Sequence, residues 1–124
     1  MRRRPLMMAI LGGGALAACT RAVHVVANRS FNGQAPLAVR AQQIAEAARA
    51  TDWRILAAEP GRMRVTYAYT EHRITLDILY SETDFSFHYV NSAGLSYDGT
   101  SVHRAYNNWV SALERQILLQ GAVS

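Results

Sequence analysis

Hydrophobic and polar positions alternate most cleanly in the middle of the chain. Over residues 62–70, Met63, Val65, Tyr67 and Tyr69 alternate with Arg62, Arg64, Thr66 and Thr70. Residues 72–80 repeat the pattern, with Ile74, Leu76, Ile78 and Tyr80 on one face. Period-2 alternation predicts two half-buried strands. A turn at Glu71-His72 pairs 69 with 74, 67 with 76, 65 with 78 and 63 with 80, which puts both apolar sets on one face, and a one-residue slip destroys the match. Glu-His is not a favoured two-residue turn, so a four-residue loop in the same register fits equally well. Ser81-Glu82-Thr83-Asp84 reads as the next turn, and Phe85, Phe87 and Tyr89 continue the apolar face on a third strand. Trp53 to Ala58 is a candidate fourth strand, closed by Glu59-Pro60-Gly61.

Helical periodicity flanks these strands. Pro36 suits a first turn, and Leu37, Ala41, Ile44, Ala45 and Ala48 form one stripe, with Arg40, Glu46 and Arg49 outside it. The spacing predicts a helix over Pro36–Ala50. Val102, Tyr106, Trp109, Val110, Leu113 and Ile117 follow the i, i+3, i+4, i+7 pattern of a final helix closed by Gly121. Trp109 is expected at the centre of that stripe, on Leu76, Ile78 or Phe87. Helix, strands, helix predicts an α+β fold: a two-layer sandwich of a three- to four-stranded antiparallel meander with two helices on one face.

The N-terminus follows different rules. Arg2-Arg3-Arg4 precedes an apolar run from Pro5 to Ala18 that contains Gly12-Gly13-Gly14. A membrane-spanning helix needs roughly 20 apolar residues, so the run is too short and reads as a secretory signal peptide. Leu16-Ala17-Ala18-Cys19 resembles the lipobox of bacterial lipoproteins. That resemblance implies cleavage before Cys19 and acylation of its sulfur and new amino group. It divides the chain into a cleaved signal peptide (1–18), a lipidated Cys19 with a tether (19–35) and a single domain (36–121). Thr20 follows the cysteine where an Asp favours inner-membrane retention in enteric bacteria, so the resemblance implies the periplasmic face of the outer membrane.

Composition narrows the chemistry. The 124 residues allow one domain. The 13 basic residues are all arginine, against 9 acidic ones. Cleavage removes Arg2, Arg3 and Arg4 and no acid, leaving 10 against 9, a mature charge of +1. The remaining arginines are scattered, which argues against a nucleic-acid surface. A single cysteine excludes an internal disulfide. His24, His72, His88 and His103 lack metal-ligand spacing, and Ser92 lies in N-S-A-G rather than a nucleophile elbow. Asp77, Glu82 and Asp84 occupy an outward strand position and a turn, ordinary solvated sites. No cofactor or metal is expected. Arg62, Arg64, Arg73, Thr66, Thr75, Asp77 and His88 form the outward, solvated face.

The polar and aromatic residues gather late in the chain. Y-x-N-S-x-x-L-x-Y from Tyr89, followed by V-H-x-x-Y-N-N-W-V from Val102, resembles a motif of small bacterial lipoproteins with no assigned activity, over roughly residues 50–117. His103 and Asn107, one turn apart on the expected helix, with Asn91, Ser92 and Tyr97 on the preceding loop, are the candidate polar site. The plain reading is that they hydrogen-bond the 91–99 loop and fix the helix on the sheet, since buried polar groups must find partners. The leading expectation is therefore a non-enzymatic interaction or structural module, anchored by lipid and meeting an envelope protein partner. The alternative is a small-ligand binding module or minor enzyme with a pocket between the final helix and the 91–99 loop.

Overall fold

The computed structural model describes residues 20–97 and 101–123. The signal segment, Cys19 and residues 98–100 of the final loop lie outside the described residues. The elements in chain order are β1 (Thr20–Ala22), β2 (Arg29–Ser30), α1 (Leu37–Ala50), β3 (Arg54–Glu59), β4 (Arg62–Tyr69), β5 (His72–Tyr80), β6 (Asp84–Ala93), β7 (Ser101–His103) and α2 (Arg104–Val123). The fold is α+β. Five strands form one antiparallel sheet in the order β2-β6-β5-β4-β3, and β1 and β7 form a separate two-stranded ribbon. The sheet has one more strand than the longest meander read from the sequence, because β2 adds itself to the edge of β6.

The central hairpin keeps the expected faces in a different register. Met63 opposes Ile78, Val65 opposes Leu76, Tyr67 opposes Ile74 and Tyr69 opposes His72. The turn is Thr70-Glu71, one residue earlier than expected, and the partner strand is displaced by two. A displacement of two leaves every side chain on its own face. Thr70 adopts φ 55° there, a left-handed conformation that costs a β-branched residue energy.

One cluster forms the core. Ile44, Ala47 and Ala48 of α1 and Val110, Leu113 and Ile117 of α2 meet Met63, Val65, Ile74, Leu76, Ile78 and Phe85. The alanines keep α1 thin, which lets α1 and α2 pack side by side over the same sheet face. β5 is buried on both faces from Ile74 to Ile78. This corrects the solvated-face expectation for Thr75 and Asp77: the long side chains of Arg62 and Arg64 lie over Asp77 and bond to it.

Three more expectations change. Residues 20–35 are part of the domain rather than a loose tether: β1 and β2 are paired, and Val26 and Phe31 are buried. Gly121 does not end α2 but lies inside it, buried. A Cβ there would stand 2.7 Å from the Asn32 carbonyl oxygen, so the glycine permits the close approach of α2 to the 31–33 segment. Arg40, expected outside the α1 stripe, is 1% exposed.

Arg40 is the hub of that corner. Its Nε donates to the Glu82 carbonyl (2.9 Å), one terminal nitrogen to the Asn32 carbonyl (3.1 Å) and Gln43 Oε1 (3.0 Å), and the other to the Gly33 carbonyl (2.7 Å). The guanidinium lies 4.2 Å from the centre of the Phe31 ring. A planar fork with five N–H donors is the side chain that can bond several carbonyls at once. Burial pulls its pKa down from the usual arginine value, and the Glu82 carboxylate opposes that pull.

Candidate functional site

The candidate residues occupy the end of the molecule where β7 runs into α2. His103 ends β7 and is not a helical residue. Its Nδ1 accepts the Ala105 N–H (3.2 Å), which satisfies one of the free amides at the start of α2. Its backbone N–H donates to the Leu95 carbonyl (2.8 Å), so it does hold the loop before β7. Its ring stacks on His72, with centroids 5.8 Å apart. His72 Nδ1 in turn donates to the Gly94 carbonyl (2.7 Å), which fixes the proton on that nitrogen. Both imidazoles therefore spend one nitrogen on the backbone.

Asn107 faces elsewhere. Its Oδ1 accepts the His24 N–H (2.8 Å) and its Nδ2 donates to the Ala22 carbonyl (2.8 Å). The amide thus acts as one more rung for the N-terminal segment. His24 Nε2 sits 2.8 Å from Glu114 Oε1, and Arg29 Nε lies 3.4 Å from Glu114 Oε2. Four polar contacts from α2 hold residues 22–29 against the helix.

The other three candidates separate. Ser92 Oγ is 2.8 Å from the Tyr89 hydroxyl. Tyr97 stacks on Tyr89 (4.0 Å between centroids) and then on Tyr106 (6.2 Å), so Ser92 and Tyr97 meet through Tyr89. Burial, and then the neighbouring Tyr97 and Tyr89, push the Tyr106 hydroxyl up to about 12. Asn91 leaves the group. A bulge between Thr75 and Leu76 in the β5–β6 pairing changes the phase of β6, so Asn91 pairs with Thr75 on the sheet face away from the helices. There it borders a shallow polar concavity of about 580 Å³ with Arg54, Thr66, Arg73 and Thr75.

Trp109 is half-buried rather than central. It packs on Tyr67 (4.5 Å) and near His72 (6.4 Å). Tyr67 also contacts Trp53 (5.6 Å), the deeply buried tryptophan, whose Nε1 has no hydrogen-bond partner among the described residues. The aromatic column Trp53–Tyr67–Trp109 lies beyond the Leu76 and Ile78 positions expected for Trp109.

Sequence reasoning missed two clusters. One is the Arg40 hub. The other is Asp77, whose carboxylate accepts from Arg64 Nε (2.8 Å), from a second Arg64 nitrogen (2.9 Å) and from Arg62 (3.1 Å). The Arg64 hydrogen bonds hold its pKa below the usual carboxylate value, burial opposes them, and Arg62 adds to the lowering. Arg64 and Asp77 are directly paired across the strands, but the register read from the sequence set Arg64 against Leu79 and hid the pair.

The chemistry available at the α2 end is limited. Neither His72 nor His103 bonds a carboxylate among the described residues. Among the described residues no group of three His, Cys, Asp or Glu side chains is placed to hold a metal ion. No helix of the described residues is long and apolar enough to cross a membrane. No family model, no curated protein and no solved structure matches this chain at a significant level.

Proposed function

We propose that this chain is a lipid-anchored protein of the bacterial envelope, a small non-enzymatic interaction or structural module held through an acylated Cys19 at the periplasmic face of the outer membrane. The observation that carries the reading is Leu16-Ala17-Ala18-Cys19 at the end of a basic-then-apolar leader, with the chain's only cysteine at that point. Two or more acyl chains on such a cysteine give stable membrane attachment, where one gives only marginal binding. The domain begins at once after the cysteine, since β1 starts at Thr20.

The residues most suited to chemistry support a module rather than an enzyme. His103 caps α2 and Asn107 is bonded at both ends of its amide to the N-terminal segment. The bonds that His103 Nδ1 and the Asn107 amide make to backbone support a structural role for both. Metabolic labelling with a palmitate analogue tests the anchor. Label is expected in the wild type and absent in Cys19→Ser; label retained by the variant, or missing from the wild type, refutes the reading.

A further inference from the structure

β3 is an open edge. It pairs only with β4, and its outer side carries no strand among the described residues. Five of its six residues are exposed, including Leu56 at 52%. Exposed edges with free N–H and C=O groups template pairing with another strand.

The pairing with β4 sets the face of each residue. Arg54 opposes Thr66, Ala57 opposes Arg64 and Glu59 opposes Arg62, so these three side chains lie on the face away from the helices. Ile55 opposes Val65 and Ala58 opposes Met63, so these two lie on the helix face. The bulge between Ile55 and Ala57 gives Leu56 to the same face as Ala57, where Leu56 borders the concavity shared with Arg54 and Asn91. Read along the strand, the faces run out, in, out, out, in, out. The order is the same in reverse. A regular six-residue strand lacks this symmetry; the bulge creates it.

We propose that β3 pairs antiparallel with β3 of a second copy of this chain, about a two-fold axis between Leu56 and Ala57, joining the two sheets into one. An isologous interface brings residue i against j and j against i. The axis sets Arg54 against the partner's Glu59, Ile55 against the partner's Ala58 and Leu56 against the partner's Ala57. Every pair then shares a face. Registers shifted by one or two residues put helix-face positions against outward ones. The same axis sets opposite charges against each other twice. Arg54 makes no ion pair among the described residues, and Glu59 has only a long contact to Arg62 (3.7 Å). On the helix face, a largely apolar cleft of about 510 Å³, lined by Leu37, Ala41, Ala58, Pro60 and Tyr80 among others and bordered also by Glu59, opens beside β3. The partner's Ile55, set against Ala58, stands at this cleft with an apolar side chain to fill it. A bulge on an edge strand ordinarily blunts association. Here it sits on the symmetry axis, where both copies carry it at the same place.

The pairing does not depend on the lipid anchor. The full chain, wild type and Cys19→Ser, is measured by sedimentation in density-matched detergent across a range of concentrations. Both are expected to form a dimer. Arg54→Glu and Glu59→Arg, at exposed positions and with far-UV circular dichroism as the fold control, are each expected to weaken it roughly tenfold or more, because two attractive cross-strand pairs become two repulsive ones. The double variant Arg54→Glu/Glu59→Arg exchanges the charges and is expected to return close to wild-type affinity. A wild type that stays monomeric at the highest concentration overturns the proposal, including one that instead binds an unrelated extended peptide at this edge. A dimer indifferent to the single reversals, or a double variant as weak as the singles, overturns it equally.

Discussion

Replacing Arg40 with methionine tests whether a buried charge can be the fastening of a small domain. The substitution keeps the volume and removes the donors. Three backbone carbonyls, of Asn32, Gly33 and Glu82, then lose their partner. Leaving a buried acceptor unpaired costs about 1–3 kcal/mol. Asn32 and Gly33 have exposed surfaces that water can reach, so the lower end applies, about 1 kcal/mol for each of the three. The lost contact of the guanidinium with Phe31 adds about 1 kcal/mol. Relief of the desolvated charge works the other way, since buried ion groups are sometimes replaced by apolar ones with a gain. The net expectation is a loss of about 3 kcal/mol, a large part of the ~5–15 kcal/mol that holds a domain, and a fall in Tm on the order of 15 °C. Urea denaturation followed by circular dichroism gives the free energy directly. Arg40→Lys retains the charge without the fork and is expected to fall between. If Arg40→Met is within about 1 kcal/mol of wild type, or more stable, water satisfies those carbonyls and Arg40 fastens nothing.

Gly121→Ala should destabilise by about 1–3 kcal/mol despite the better helix propensity of alanine, because the new Cβ meets a backbone carbonyl; a thermal melt that rises instead would mean the 31–33 segment yields freely. Thr70→Gly should stabilise by about 1 kcal/mol in chemical denaturation, since it relieves a left-handed φ at a β-branched residue. Tyr106 binds its proton more tightly folded than unfolded, so stability should hold up to pH 10 and fall by roughly 2–3 kcal/mol as pH rises toward 12, and Tyr106→Phe should flatten that alkaline limb in pH-dependent denaturation. Asp77 has a lowered folded pKa, so its contribution is present above the ordinary carboxyl value and lost as pH falls below it; Asp77→Asn should melt lower than wild type at neutral pH, with the gap closing in acid. Asn107→Ala should cost about 1–2 kcal/mol and speed amide exchange at residues 20–24 before the rest of the domain.

The α+β class and the apolar faces of β4, β5 and β6 were legible because period-2 alternation survives any error of register by two. The turn was not, because Thr70-Glu71 violates the turn preferences on which a reading must rely. The N-terminal segment escaped detection for a different reason. β2 has two residues and β1 three, too short to show a period, and their bonding partners lie far away in the chain. Arg40 was misplaced since a helical wheel ranks positions by hydropathy, while its burial comes from carbonyls of two loops that the wheel does not contain. At the candidate site, Asn107 lies on α2 as read, but His103 falls in β7, one residue before the helix; the backbone of His103 meets the 91–99 loop, while Asn107 bonds residues 22–24 instead. The separation of Asn91 was not legible, because a bulge in the β5–β6 pairing inverts faces without leaving a mark in the pattern.

The seating of the first strand has a consequence for the order of events. Residues 20–32 bond to β6, to β7 and to Asn107, Glu114 and Leu118 of α2, with up to 90 positions between partners. Such contacts close the longest loops in the domain, and contacts of that kind form late. A chain synthesised or threaded from its N-terminus therefore presents this segment first and seats it last. Until β7 and then α2 have emerged, β1 lacks the strand it pairs with and the helix that holds the residues after it. For a chain processed at Cys19, as proposed, the residues just after the cleavage point are thus the last of the domain to be seated.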